Sequence, residues 1–306
     1  MKTKYQTVGF LRVISSLLLV AVFATLVSAC GAAPTAAPTQ AATEAVTEAA
    51  ATETTAATEA AAPTELTQLT IGVSPVPHGD IIKFVQENLA AKAGLDLKVV
   101  EFTDYVQPNL ALADGSIDAN FFQHAPYMED FAKEHNLELV AVAAVHIEPL
   151  GIYSKKVKSL ADVQDGAVVT IPNDATNSGR ALRLLEANGL IKLSDTAGLT
   201  ATAQDIVENP KNLDIKELEA AQLARSLDDT TLAVINGNYA IDAGLKPNQD
   251  ALALEKGENN PYANVLTVLK GRETDPAILK LAELLTSPEV KQFIEEKYQG
   301  SVIPAF

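Results

Sequence analysis

Leu69-Thr70-Ile71-Gly72-Val73 is followed by Pro75 to Asp80, then by Ile81, Ile82, Val85 and Leu89, then by Leu95 to Val100. The first run is short, apolar and unbroken, as in a strand buried on both faces. Pro75 to Asp80 reads as a turn, with Asp80 placed to cap a helix. Ile81, Ile82, Val85 and Leu89 form a helical stripe, and Gly94 suits its left-handed stop. Leu95 to Val100 is a second strand. A strand, a helix and a strand in this order predict a mostly parallel sheet covered by helices.

The alternation continues along the chain. Asn109 to Ala113 reads as a short helix, Ile117 to Phe122 as a strand, Pro126 to about His135 as a helix and Leu137 to Val145 as a strand. The pattern restarts at Leu150. Gly151 to Ser154, Ala167 to Ile171, Gln204 to Val207, Leu232 to Ile235 and Asn264 to Leu269 are further strands, and Asn177 to Ala187 is a long helix. Helices from Pro276 to Leu285 and from Pro288 to Tyr298 close the chain, each with proline where the first helical turn tolerates it. The expectation is an α/β fold of two lobes, the second inserted into the first. Residues 67–149 and 262–306 form one lobe and 150–261 the other, each of ordinary domain size. Ligands of such folds sit beyond the carboxyl ends of strands, so the cleft between lobes is the expected site.

The texture differs before Leu69. Lys2, Lys4 and Arg12 precede an apolar run from Val13 through Val27, then Ser28-Ala29-Cys30. A basic front, a short apolar core and small residues before a cut site read as an export signal over residues 1–29. Leu26-Val27-Ser28-Ala29-Cys30 resembles a bacterial lipobox, with Cys30 the lipidated residue. An uncleaved membrane span is the alternative, but the run is short of the about 20 residues a span needs. Residues 30–66 carry the anchor and a linker of Ala, Thr, Pro and Glu with almost no large apolar side chain. Such a segment buries too little surface to offset its ordering entropy and is expected to be disordered. The chain is then held at the outer, extracytoplasmic face of a cell membrane by lipid alone.

Cys30 is the only cysteine, so no disulfide and no cysteine nucleophile is available. The net charge is −16, and loss of residues 1–29 removes three basic residues and no acidic one, leaving about −19. That balance argues against nucleic acid and against polybasic adhesion to lipid. No Gly-x-Ser-x-Gly elbow, phosphate loop or dinucleotide fingerprint is present. An enzyme and a cofactor are not expected.

Three polar clusters stand at predicted strand ends. The first, Asn120 to Tyr127, carries Phe122, His124 and Tyr127, and is either a pocket wall or a core aromatic patch. The second, Ile171 to Arg180, joins a strand to a helix. Helix N-termini seat anions, and Arg180, read as lying in the first turn, stands against the local dipole. That placement suggests an anionic partner, either a ligand carboxylate gripped in bidentate fashion or a neighbouring acidic side chain. The third, Val234 to Tyr239, places Asn236 and Asn238 around Gly237. Asparagine offers a donor and an acceptor to an amino-acid backbone, while Asn-Gly is also strong turn chemistry. A metal site is the rival reading, because His78, His124 and His146 fall near strand ends and Glu148 follows closely. A surface lipoprotein with no transport role is a further alternative.

At these clusters the chain resembles the NlpA family of methionine-binding lipoproteins, substrate-binding components of methionine ABC importers. The resemblance rests on Glu101 to Asn109, Ile117 to His124, Pro172 to Asn177 and Val207 to Leu213, and is extended by Arg225 to Asp229 and Ala233 to Asn236. It implies a two-lobed periplasmic-binding-protein fold of type II. It implies that Arg180 holds the ligand carboxylate with Asn177 beside it, and that Asn236 binds the amino-acid backbone with Asn238 close by. Phe122, His124, Tyr105 and Tyr127 would line the side-chain pocket, where aromatic edges suit a polarizable thioether. The implied partners are methionine and a permease–ATPase complex, with the binding protein acting as a monomer.

Overall fold

The computed structural model describes residues 65–306. The export signal over 1–29, Cys30 and the linker up to residue 64 lie outside the described residues. Four strands precede residue 150: β1 (Thr67–Val73), β2 (Leu95–Glu101), β3 (Ala119–His124) and β4 (Leu139–Ile147). Then come β5 (Gly151–Tyr153), β6 (Val168–Pro172), β7 (Lys192–Leu193), β8 (Ile206–Glu208), β9 (Asp214–Leu218), β10 (Leu232–Ile235) and β11 (Ala253–Leu254). β12 (Ala263–Leu269) and β13 (Ile303–Pro304) end the series. The helices are α1 (Asp80–Val85), α2 (Gln107–Ala113), α3 (Ala125–His135), α4 (Ala175–Ala187), α5 (Leu223–Ser226), α6 (Gly237–Asp242), α7 (Pro247–Asp250), α8 (Pro276–Leu285) and α9 (Pro288–Tyr298). None of the described helices is long and apolar enough to cross a membrane.

Two sheets organise the fold. One runs β13-β4-β12-β3-β1-β2 and the other β11-β5-β10-β6-β9, while β7 and β8 form a small separate ribbon. β1 pairs in parallel with β2 and with β3, and β6 in parallel with β9 and β10. The other pairings in the two sheets are antiparallel, β5 with β10 and β11, β12 with β3 and β4, and β13 with β4, so the sheets are mixed rather than mostly parallel as expected. β12 returns from the second sheet and enters the first from the opposite direction, so it pairs antiparallel to both β3 and β4. The chain thus passes between the sheets twice, around residues 148–150 and 255–262.

Each sheet has its own apolar core. Ile71, Val73, Ile81, Ile82, Leu97, Phe121, Leu266, Ile278, Leu281 and Ile294 bury one face of the first under α1, α8 and α9. Ile152, Val169, Ile171, Leu182, Leu185, Leu232 and Val234 do the same for the second under α4. Leu, Ile and Val at 0–3 % exposure supply the main stabilisation, each worth about 1.5–3 kcal/mol on burial.

Local chemistry corrects several expected boundaries. Asp80 is the first helical residue of α1 rather than its cap, and its carboxylate instead accepts from the Tyr298 hydroxyl at 2.7 Å. α4 starts at Ala175, two residues early, because Asp174 caps it by accepting the Asn177 N–H at 2.9 Å. Arg180 therefore lies in the second turn, where the dipole argument no longer applies. The strand expected at 204–207 is β8, in the small ribbon and not in the main sheet. β9, Asp-Ile-Lys-Glu-Leu, escaped the sequence reading because it is a half-exposed edge strand with three charged side chains. Pro276 and Pro288 do start their helices, behind caps Asp275 and Ser287.

Candidate functional site

The cleft between the sheets holds a narrow pocket. The eight residues expected to bind ligand sit on β3, α3, α4, α6 and the loops beside them. Tyr105, Phe122, His124, Tyr127, Asn177, Arg180, Asn236 and Asn238 all line the pocket. Their elements explain the convergence: β3 ends at His124, β6 runs into α4, and β10 runs into α6.

Phe122, Tyr127 and Phe131 form a buried aromatic cluster with Tyr105 packed against it. The Tyr105 ring meets Tyr127 edge-on at 5.7 Å, and Phe122 meets Tyr127 edge-on at 6.2 Å. The patch is therefore part core and part pocket wall, which the sequence alone left open. Burial pushes both tyrosine hydroxyls well above their ordinary range, so they stay neutral donors.

His124 caps α3. Its Nδ1 accepts the Tyr127 N–H at 3.1 Å, so the ring proton sits on Nε2, which donates to Asn177 Oδ1 at 3.0 Å. Burial, with Arg180 nearby, pushes its pKa down to about 3. Asn177 Oδ1 also accepts from Asn236 Nδ2 at 2.9 Å, while Asn177 Nδ2 is held by the Asp174 carboxylate. One amide thus ties β3, α4 and β10 together. Asn236 Oδ1 is buried with no partner, an acceptor left for a ligand. Tyr105 donates to Asn238 Oδ1 at 2.5 Å and Tyr239 to the Thr103 carbonyl at 3.1 Å, so further bonds span the cleft.

Arg180 has both partners that its sequence context suggested as alternatives. Its Nε and Nη2 grip the Glu255 carboxylate at 2.5–3.1 Å, and Nη2 also donates to the Glu148 carbonyl at 2.8 Å. Its guanidinium lies 4.3 Å from the Tyr262 ring centroid. Only 4 % of the Arg180 side chain is exposed. Among the described residues Nη1 has no hydrogen-bond partner, so a buried, oriented cation that lines the pocket keeps a donor to spare.

The sequence reading missed Glu148 as a pocket residue and weighed it only as a metal ligand. Glu148 lines the pocket together with Gln123, Gly237 and Asn264. The available signal was an acid directly after strand β4, two residues beyond His146. The structure does gather His78, His146 and Glu148, with donor atoms within 4.8 Å of one another, but turns His124 to Asn177 instead. This set fits a metal poorly. A metal-bound imidazole carries its proton on the other ring nitrogen, which then needs an acceptor. His146 Nδ1 is buried with no partner, and its Nε2 stands at hydrogen-bond distance, 2.7 Å, from Glu148 Oε1.

Burial lowers His78 to about 4 and His146 to about 3, as it does His124. Each is thus below the ordinary value of about 6.5, and the unfolded chain binds more protons between these limits. Stability from the three is complete above pH 6.5 and is lost as pH falls toward 4. Thermal unfolding at pH 5 is expected to have a clearly lower midpoint than at pH 7.5. Equal midpoints would contradict neutral burial of these rings.

The model of the NlpA lipoprotein family matches residues 69–306. The chain belongs to the NlpA lipoprotein family. A methionine-binding lipoprotein, MetQ, of Bacillus subtilis is 43 % identical over 78 % of this chain and 88 % of its own length. Among solved structures, a nutrient-binding protein from Burkholderia cenocepacia bound to methionine is 45 % identical with a TM-score of 0.75, covering 78 % of this chain and all of that one. A periplasmic substrate-binding protein of an ABC transporter from Coxiella burnetii is 41 % identical with a TM-score of 0.74, over 78 % of this chain and all of that one. The two-lobed α/β fold of these binding proteins is the fold of this chain.

Proposed function

We propose that this protein is a lipid-anchored substrate-binding protein that captures methionine and delivers it to an ABC-type permease with its ATPase. The carrying observation is a pocket between the two sheets that offers a buried cation and a buried carboxylate together, beside aromatic walls. A zwitterion with an apolar tail needs that combination. Arg180 Nη1 takes the ligand carboxylate. Asn236 Oδ1 and the Glu148 carboxylate take the ammonium group. Phe122, His124, Tyr105 and Tyr127 surround the thioether, whose sulfur favours aromatic edges. The methionine-bound relative supports the ligand class, and the transporter relative supports the role.

Cys30 is the proposed lipid attachment, holding the binding lobes at the extracytoplasmic membrane face. The lobes are proposed to follow the boundaries 67–149, 150–261 and 262–306, and the protein to act as a monomer. Confinement beside a permease raises effective concentration without any new contact.

Isothermal titration of the purified, ligand-stripped protein with L-methionine tests the reading. Saturable one-to-one binding is expected, weakened about tenfold or more by Asn236→Ala, which removes one polar contact and unties Asn177. No heat with methionine and tight binding of another solute would overturn it.

A further inference from the structure

Resting on the assignment of Glu148 to the ligand ammonium, we infer that His146 is a positioning residue for amine recognition, with His78 its partner. The two imidazoles clamp one oxygen of the Glu148 carboxylate so that the other is presented to the pocket.

The geometry separates the two oxygens. His146 Nε2 lies 2.7 Å from Glu148 Oε1, and His78 Nε2 lies 3.3 Å from the same atom. His78 Nε2 is also 3.0 Å from Asn264 Oδ1, which fixes that ring from a second side. Neither imidazole contact is to Oε2. A Cβ built on Gly237 would stand 3.2 Å from it, and Gly237 lines the pocket. The Asn238 backbone N–H donates to the same carboxylate.

The proton on His146 is placed by elimination. Nδ1 is buried without an acceptor, so an N–H there would be an orphaned donor, a costly arrangement. The proton belongs on Nε2, donating to Oε1 in a short charge-assisted bond. The ring has little freedom to do otherwise. It is completely buried, and it packs edge-on against Phe121 at 5.3 Å and tilted against His78 at 4.8 Å. His78 meets Phe121 edge-on at 4.8 Å.

The clamp has a purpose that packing alone does not supply. Glu148 is 5 % exposed, and burial pushes its carboxyl above the usual carboxylate range. A protonated carboxyl would offer an incoming ammonium no charge. The His146 N–H on Oε1 and the nearby His78 ring favour the ionised form and fix the plane of the group, so the ligand meets an anion already aimed.

The test compares L-methionine with 4-(methylthio)butanoate, which keeps the carboxylate and thioether and lacks the amine. Both are titrated into the full-length wild type, His146→Leu, His146→Gln and Glu148→Gln. His146→Leu should weaken methionine by about ten- to a hundredfold while leaving the desamino compound unchanged. His146→Gln, whose amide N–H reaches the place of imidazole Nε2–H, should recover most of the loss. Equal weakening of both ligands, or unchanged methionine affinity, would show that His146 only fills space. If His146→Leu does not fold, His146→Gln with near-wild-type preference for the amine sustains the inference, and loss of that preference overturns it. Glu148→Gln isolates the underlying assignment. If it leaves methionine affinity intact, the amine does not meet Glu148, and the inference falls with that assignment. Wild type that binds neither compound would instead overturn the methionine reading itself.

Discussion

Arg180→Ala is expected to raise the Kd for L-methionine by a hundredfold or more and to lower the stability of the protein as well. Two separate losses are involved. The ligand carboxylate loses its only buried cationic partner among the pocket residues, and a charge-assisted hydrogen bond is worth about 1.5–3 kcal/mol. Glu255, with 17 % of its side chain exposed, loses the guanidinium that compensates it. Breaking such a pair from one side costs about 3–5 kcal/mol when fully buried, so the lower end applies here. Arg180→Lys should rescue neither effect, because an ammonium cannot hold Glu255 through Nε and Nη2 while presenting a third donor. The double variant Arg180→Ala/Glu255→Ala separates the losses: it should regain stability and remain unable to bind. Calorimetry and thermal unfolding read the two. A double variant that binds normally would remove Arg180 from the site.

Gly179→Ala is expected to lower the stability of the protein. Alanine in a helix interior ordinarily gains about 0.5–1 kcal/mol over glycine. Here a Cβ would stand 2.2 Å from the Leu199 carbonyl oxygen and 2.7 Å from the Ala201 nitrogen. Both are backbone atoms, so no side-chain rotation relieves the clash, and α4 or the 199–201 segment must move. Overpacking of this kind costs about 1–3 kcal/mol and occasionally more. The sign of the helix propensity is therefore reversed by the neighbour. Because Asn177 and Arg180 ride on the same turn, the displaced helix should also bind methionine less tightly. Urea unfolding that shows equal or higher stability would contradict this close packing.

Both residues show the limits of local reading. Gly179 and Arg180 lie in a strand-to-helix junction that the sequence marked as a candidate site, and Arg180 lines the pocket. The dipole argument for Arg180 does not hold, since the Asp174 cap moves it into the second turn. The orientation of Arg180 comes from Glu255, 75 positions away, and from the Glu148 carbonyl. Glu148 itself was legible only as an acid after a strand. Its place in the pocket depends on the chain leaving the first sheet at that point.

Periodicity, turn chemistry and charge along the chain determined the class of this protein. Unbroken apolar runs made buried strands, spaced stripes made helices, and Asn, Arg and aromatic clusters at strand ends marked the site, because each depends on neighbours within a few residues. Tertiary structure alone decided three things. β12 inserts antiparallel between β3 and β4, β9 takes an edge despite its charges, and Arg180 is held by both the Glu148 carbonyl and the Glu255 carboxylate. Those outcomes rest on pairings between residues far apart in the chain. They are settled by which buried faces and charges can be satisfied together, and no local pattern carries that information.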